Sequence, residues 1–178
     1  MQFKAQIMNE QDVERAITRI AHQIIEKNHG TEDLCIIGVR SRGVPLANRI
    51  SENIKKIENT TVDVGALDIT LYRDDLTLIA NEPIVSESKI PFGVSGKTVV
   101  LVDDVIHTAR TARAAMEAVM GLGRPKRIQL AVLIDRGHSE LPIKANFVGK
   151  NIPTSLNEVV SVKLSECDGE TNVCIYDK

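Results

Sequence analysis

The chain is 178 residues long, with 43% hydrophobic and 26% charged residues. This length is sufficient for one domain with its own core, and the formal net charge of −2 excludes a protein that binds nucleic acid through overall positive charge. Aromatic residues make up only 3% of the chain, so the core must be built from aliphatic side chains. Any contact with nucleic acid then depends on a local basic surface.

The three cysteines, Cys35, Cys167 and Cys174, do not have the spacing of a metal site. Their odd number, together with the absence of a secretory signal pattern, predicts a reducing, cytoplasmic environment. No apolar run is long enough to cross a bilayer. We see no linker or repeat, so we expect a single domain over residues 1–178.

The first predicted element is an amphipathic helix over residues 9–28. Val13, Ile17, Ile20 and Ile24 recur at helical spacing and define its buried face. The opposite face is polar and partly basic. It is either an ordinary solvated surface or part of a contact with nucleic-acid phosphates.

A buried strand is predicted over residues 34–39, followed by a helix that begins near Val44. The loop between them reads Arg40-Ser41-Arg42-Gly43. Glycine lets a backbone approach a ligand closely and arginine binds phosphate through two hydrogen bonds, so this loop suits pyrophosphate. The alternative is a basic turn that faces solvent.

A third strand is predicted over residues 62–69, and a long polar stretch follows it. Irregular segments of this length inside a compact domain are typically lids or hairpin arms. We therefore predict a lid arm over about 70–96.

The most informative run is VVLVDDVIHTART, residues 99–111. A buried strand over 98–102 leads into Asp103 and Asp104, and a loop with hydroxyl groups leads into a helix over 110–122. Open α/β sheets bind ligands at the carboxyl ends of their strands, and helix N-termini bind anions. The run therefore suits a phosphorylated sugar, although a helix cap and a solvated turn would show the same pattern.

A further buried strand over 128–134 ends in Asp135-Arg136-Gly137-His138. The polar loops 40–43, 103–111 and 135–138 would then lie at one edge of a parallel sheet. The remainder, about 146–178, is predicted to form short strands of a small hood over this edge.

The run VVLVDDVIHTART resembles the phosphoribosyl pyrophosphate (PRPP) loop of type I phosphoribosyltransferases. The segments GVRSRGVPLA, DITLYRDDL, GRPKRIQLAVLIDRGHSELPI and FVGKNIPTS resemble the pyrimidine-operon regulator family, PyrR, and the resemblance extends from about residue 3 to the C-terminus. It implies the α/β fold of type I phosphoribosyltransferases: a central, mostly parallel sheet flanked by helices, with a small C-terminal hood.

The resemblance also implies an activity and a set of partners. Members transfer a phosphoribosyl group from PRPP to uracil in the presence of Mg²⁺, giving UMP and pyrophosphate. They bind pyrimidine-operon leader mRNA in response to UMP, which promotes transcription termination, and they form homodimers or tetramers. Two alternatives stay open: a regulator with weakened or lost activity, and a phosphoribosyltransferase for another base.

The family's functional positions can be transferred to this chain residue by residue. Asp103 and Asp104 would hold the ribose hydroxyls directly or through Mg²⁺, and Arg73 in the arm would close over the reacting centre. The other implied PRPP and nucleotide contacts are Ser41, Arg42, Gly43, Thr108, Ala109, Arg110 and Thr111. The implied neighbours of the base are Arg136, Phe147, Val148 and Ile152. The implied RNA contacts are Thr18, Arg19, His22, Lys27, His138, Lys144 and Lys150.

Three positions depart from the family pattern, which usually reads DDVLYTGRT in the PRPP loop. Ala109 replaces a glycine, which costs about 1 kcal/mol if the backbone there requires positive φ. His107 replaces a tyrosine, which is either a simple exchange of partner or a source of pH-dependent phosphate affinity. Ser139 stands where relatives often have a basic residue, so about one phosphate contact with RNA would be lost.

Overall fold

The computed structural model describes residues 1–72 and 88–178. Its strands are β1 Gln2–Met8, β2 Leu34–Val39, β3 Asp63–Leu67, β4 Thr98–Ile106, β5 Arg127–Asp135, β6 Phe147–Asn151, β7 Glu158–Lys163 and β8 Asn172–Asp177. Its helices are α1 Glu10–Asn28, α2 Gly43–Glu58, α3 Arg110–Leu122 and the short α4 Ser165–Asp168, with a 3-10 turn at Thr70–Tyr72. None of these helices is both long and apolar enough to span a membrane.

The centre of the fold is a five-stranded parallel sheet in the order β3-β2-β4-β5-β6. Every residue of β2 is buried. On one face of the sheet, aliphatic side chains pack with those of α1 and α2, and on the other face they pack with the alanine-rich side of α3. Strands that are covered on both faces need aliphatic side chains throughout, which is the pattern that the sequence shows. The arrangement therefore confirms the predicted fold class.

The predicted helices match the structure closely at their capped ends. α1 begins after Asn9, whose side chain accepts a hydrogen bond from the backbone of Asp12 while the Asp12 carboxylate accepts one from the backbone of Asn9. This reciprocal pair satisfies two N–H groups that the helix leaves without partners. α3 has the predicted bounds and is followed by Gly123.

The predicted end of β4 at residue 102 is wrong, because the strand continues to Ile106. Its neighbour β2 stops pairing at Val102, but β5 continues to pair with β4 as far as Ile106. Asp103 and Asp104 therefore belong to the strand itself and do not follow it. Successive strand residues point to opposite faces, so the two carboxylates point to different sides of the sheet.

The hood also differs from the predicted one, which was expected to consist of short strands within about residues 146–178. It is a separate antiparallel sheet in the order β1-β8-β7, whereas β6 pairs with β5 in the parallel sheet. The strand β1, which sequence analysis did not predict, fills the second edge of β8. Of the predicted arm, Arg73 and its neighbours up to residue 87 lie outside the described residues.

Candidate active site

The acidic pair lies at the point where β4 extends beyond β2. Oδ1 of Asp103 accepts a hydrogen bond from the backbone N–H of Asp104 at 2.9 Å, and Oδ1 of Asp104 accepts one from Val105 at 2.9 Å. Burial raises the pKa of Asp104, while these hydrogen bonds and the nearby charge of Arg42 act in the opposite direction. Asp104 is therefore a partly desolvated carboxylate near a cation, and it can accept hydrogen bonds from hydroxyl groups or face a metal ion.

A cavity of about 430 Å³ opens on the α3 side of this pair. Asp103 and the loop into α3, residues 107–111, both line the cavity. Its apolar wall consists of Val105, Leu130 and Val132. A polar end and an apolar wall suit a ligand with an anionic group and a flat ring.

The loop into α3 is shaped as an anion site. Ala109 precedes the helix in the left-handed conformation, with φ 68° and ψ 8°, and its side chain cannot cap the helix. The first N–H groups of α3 therefore face the cavity without an N-cap side chain, and Thr108 adds a hydroxyl that accepts a weak bond from the Arg110 backbone at 3.4 Å. The positive φ at Ala109 is the condition under which alanine is less favourable than glycine.

The segment after β5 closes the cavity from the side. Glu140 pairs with Arg110 at 2.8 Å, and its backbone N–H donates to the carbonyl oxygen of Thr108 at 3.1 Å. The ring of His107 contacts the ring of His138 edge to face. Burial lowers the pKa of His107, and the positive charges nearby lower it further.

A smaller cavity of about 270 Å³ lies between the ends of β2, β3 and β4. Arg40 and Thr70 line it together with three acidic residues, Asp68, Asp103 and Asp104. Sequence analysis gave Asp68 no role because it lies inside the predicted strand 62–69, whereas β3 ends at Leu67 and Asp68 follows it. Carboxylate and hydroxyl oxygens are ligands that Mg²⁺ prefers.

Mg²⁺ fits this donor chemistry only together with substrate oxygens. Within residues 1–72 and 88–178, no three acidic, histidine or cysteine side chains lie close enough to form a metal site by themselves. An ion bound there would be held by Asp103 or Asp104 and by the phosphates and hydroxyls of the substrate, which is the usual manner of Mg²⁺ binding.

The loop after β2 approaches the acidic strand closely. A Cβ atom on Gly43 would lie 2.3 Å from the carbonyl oxygen of Val102, so this position requires glycine. The peptide bond between Arg40 and Ser41 is cis. The side chain of Arg42 is paired with Asp168, in the segment between β7 and β8, and its predicted contact with pyrophosphate stays a prediction.

Arg42 and Asp104 line a third cavity, of about 310 Å³, beneath the hood. Its opposite wall consists of residues 159–162 of β7 and of Tyr176. Among the described strands β7 pairs only with β8, so no strand covers its other edge. Sequence analysis did not predict this wall, because it depends on how the hood sheet is assembled.

Of the four residues predicted to border the base, Phe147 and Val148 share one of the cavities formed by the described residues, but Arg136 and Ile152 do not line it. Phe147 is buried at the beginning of β6, opposite Ala131, and packs in the core on the α1 side. Ile152 is buried just after β6. Arg136 is buried and donates to the backbone oxygens of Ser155 and Glu158 at 3.3 and 2.8 Å. Arg136 therefore fixes the segment that leads into β7. Val148 lies next to Phe147 in β6.

Most of the predicted RNA contacts lie on or beside α1. Arg19 donates a hydrogen bond to the carbonyl oxygen of Gly149, which joins α1 to the edge strand β6. Lys150 is exposed on β6, and Lys27 is exposed at the end of α1. The further members of this surface are Thr18 and His22 on α1 and Lys144 before β6. His138 lies instead beside His107 at the cavity.

The parallel sheet, the acidic strand and the anion loop together define a phosphoribosyltransferase. The family model described as "Phosphoribosyl transferase domain" matches residues 4–166. A protein from Pelotomaculum thermopropionicum named "Bifunctional protein PyrR" is 63% identical over 98% of this chain and 96% of its own length. A protein of the same name from Thermus aquaticus is 59% identical over 100% of this chain and 98% of its own length. The chain therefore belongs to the PyrR family of phosphoribosyltransferases.

Solved structures show the same fold at much lower sequence identity. A hypoxanthine-guanine phosphoribosyltransferase from Bacillus anthracis aligns with a TM-score of 0.74 at 17% identity, covering 98% of this chain and 99% of its own. The hypoxanthine phosphoribosyltransferase of Trypanosoma cruzi gives a TM-score of 0.75 at 17% identity, covering 98% and 97%. These two likenesses concern the fold alone.

Proposed function

We propose that the protein transfers the 5-phosphoribosyl group of PRPP to uracil, giving UMP and pyrophosphate, and that it regulates pyrimidine genes by binding their leader mRNA in response to UMP. The observation that carries this proposal is that Asp103, the neighbour of Asp104 in β4, lines the same cavity as the uncapped N-terminus of α3. Carboxylates beside an anion loop match a ribose with a 5-phosphate.

The three cavities accommodate the three parts of the substrates. The 5-phosphate occupies the loop formed by Thr108, Ala109, Arg110 and Thr111, and the ribose hydroxyls face the acidic pair. The pyrophosphate lies in the smaller cavity near Arg40, Ser41 and Gly43. Mg²⁺, when bound through substrate oxygens, offsets the charge of the departing pyrophosphate.

The base lies under the hood in this proposal. Along one edge, uracil alternates acceptor, donor and acceptor, and a free strand edge such as that of β7 offers the complementary N–H and C=O groups. Arg136 acts indirectly, because it holds the segment before β7. Val148 and Ile152 remain predicted neighbours of the base, to be tested by substitution.

The reaction requires positioning more than a strong nucleophile. The bond between C1 of the ribose and pyrophosphate breaks, the bond from C1 to N1 of uracil forms, and the proton on N1 is lost. Positive charge develops on the ribose ring and negative charge on the leaving group. Arg40 lines the cavity assigned to pyrophosphate, and Arg42 lies near Asp104, which lines both that cavity and the one under the hood, so both guanidinium groups stabilise the leaving group. The carboxylates hold the ribose in line for attack.

RNA binding is assigned to the α1 side of the molecule. Arg19, His22, Lys27, Lys144 and Lys150 give it a local excess of basic side chains in a chain that is acidic overall. Such a surface binds phosphates in a salt-dependent way. We further propose a homodimer or tetramer in the cytoplasm as the working form.

Conversion of uracil to UMP by the purified protein, with PRPP and Mg²⁺, tests the enzymatic half. We expect uracil-selective turnover and tighter RNA binding when UMP is present. UMP binding without turnover would instead identify a regulator with lost activity, a reading that the left-handed Ala109 favours. Tighter binding of GMP than of UMP would identify a phosphoribosyltransferase for another base.

A further inference from the structure

The segment 164–171, which we name the C-terminal clamp, connects β7 to β8 and contacts the start of α2. Its Asp168 forms a two-point ion pair with Arg42, in which Nε lies 3.1 Å from Oδ2 and Nη2 lies 2.7 Å from Oδ1. Oδ2 also accepts a hydrogen bond from the backbone N–H of Leu164 at 2.9 Å. The carboxylate is therefore fixed before it meets the guanidinium.

A second arginine fastens the same clamp at a different place. Arg49, about two turns further along α2, pairs with Glu166 through Nε and Nη2 at 2.8 and 2.6 Å. Its Nη1 pairs with Glu14 of α1 at 2.7 Å. Arg49 lines none of the three cavities described above, whereas Arg42 lines the cavity under the hood. Each ion pair therefore joins an arginine to a carboxylate of the C-terminal clamp, but only the Arg42 pair lies at one of the cavities described above.

We propose that Asp168 is a positioning residue for phosphoribosyl transfer, because it holds the Arg42 guanidinium between the C-terminal clamp and Asp104. This inference rests on the proposed function, in which Arg42 contacts the leaving group. Asp168 occupies Nε and Nη2 of Arg42, and in the described part of the chain Nη1 has no hydrogen-bond partner. A planar guanidinium held on one side presents its remaining N–H groups in a fixed direction to an anion.

Two effects of removing the carboxylate have opposite signs, so an experiment can separate them. Loss of a negative charge beside an anion site, taken alone, strengthens binding of PRPP. Loss of the fixed orientation weakens it, since a long side chain must then be ordered on binding. The positioning role predicts that the second effect prevails.

The test uses the full chain with the substitution Asp168→Asn and the matched control Glu166→Gln. We expect Asp168→Asn to raise KM and Kd for PRPP about threefold to tenfold while kcat stays within about twofold. Asp168→Glu should recover part of the affinity. Glu166→Gln removes the same charge from the same clamp, so it should lower the thermal midpoint and leave KM for PRPP unchanged.

A double substitution gives the decisive comparison. In an Arg42→Ala background, Asp168→Asn should have no further effect on PRPP affinity, because its only route to the substrate is gone. Equal KM values for Asp168→Asn and Glu166→Gln would overturn the proposal, as would a lower KM in Asp168→Asn. Calorimetric titration with PRPP separates this inference from the proposed function: binding without turnover removes the enzymatic proposal alone, and failure of the wild type to bind PRPP removes both.

Discussion

The rings of His107 and His138 meet edge to face, with centroids 6.1 Å apart, at the side of the cavity that holds the anion loop. His107 comes from the end of β4 and His138 from the loop after β5, so the contact joins two of the predicted ligand-binding loops. Burial lowers the pKa of His107, with Arg136 and His138 acting in the same direction.

The lowered pKa of His107 predicts a loss of stability in mild acid. An unfolded histidine has a pKa near 6.5, so below about pH 6.5 the unfolded chain gains a proton that the folded chain resists. Stability therefore falls as the pH drops from about 6.5 towards the folded pKa. Thermal midpoints at pH 7 and pH 5.5 should show a smaller drop in His107→Gln than in the wild type. A matching substitution of the exposed His22 on α1 should keep the full drop, and equal drops in all three proteins would contradict the assignment.

Ala109 should tolerate glycine but not a branched residue. Glycine relieves about 1 kcal/mol of left-handed backbone strain and loses a buried methyl worth about 0.8 kcal/mol, so Ala109→Gly should change the unfolding free energy by less than about 1 kcal/mol. Ala109→Val combines an unfavourable φ with overpacking and should cost about 2 kcal/mol or more. Urea unfolding of the three proteins measures both differences. A neutral valine variant would show that this backbone conformation is not maintained.

Asp104→Asn should separate activity from stability. Because burial raises the pKa of Asp104, its carboxyl group favours the folded state only at acidic pH, where it is protonated, and this contribution is lost as the pH rises through the folded pKa. At pH 7 the asparagine variant should therefore be at least as stable as the wild type. Its turnover should fall about a hundredfold or more, since the ribose loses a charged partner. Asp63→Asn, at an exposed pair with Lys97, is the control that should retain turnover. Full activity in Asp104→Asn would refute the assigned role.

Lys27 should contribute about one phosphate contact to RNA binding. The logarithmic salt dependence of RNA affinity should become less steep by about one in Lys27→Ala, with an unchanged thermal midpoint, because this side chain is exposed. Lys89 lies beside β3, at the opposite edge of the sheet from β6, so Lys89→Ala should leave the salt dependence unchanged. If the salt dependence of RNA affinity had the same slope in both variants, the RNA would have to bind away from Lys27. Arg19 is a less suitable probe, since its substitution also removes the bond to Gly149.

The sequence predicts those parts of this fold that depend on local patterns. The spacing of apolar residues and the cap at Asn9 specify α1, and the aliphatic run before Asp103 specifies a buried strand. The same pattern placed the end of β4 too early, because carboxylates are unfavourable in isolated strands and only pairing with β5 keeps them in this one.

Contacts between distant parts of the chain leave no such pattern. Nothing local to Arg42 indicates that Asp168 accepts its hydrogen bonds, and nothing local to residues 2–8 indicates that their partner is β8. The wall of residues 159–162 under the hood could not be predicted for the same reason. The acidic pair and the anion loop were predictable because each is contiguous in sequence.

The pairing of β1 with β8 sets an order of events during synthesis. Gln2 lies opposite Asp177, so β1 is synthesised long before the strand with which it pairs. The parallel sheet, whose strands end at Asn151, can form while β1 still lacks its partner. The nascent chain can thus complete its phosphate-binding edge before its hood, and the cavity under the hood forms only after β8 has been synthesised. Because Gln2 and Asp177 are neighbours, a short peptide could also join β8 to β1, and new ends could be opened in another surface loop.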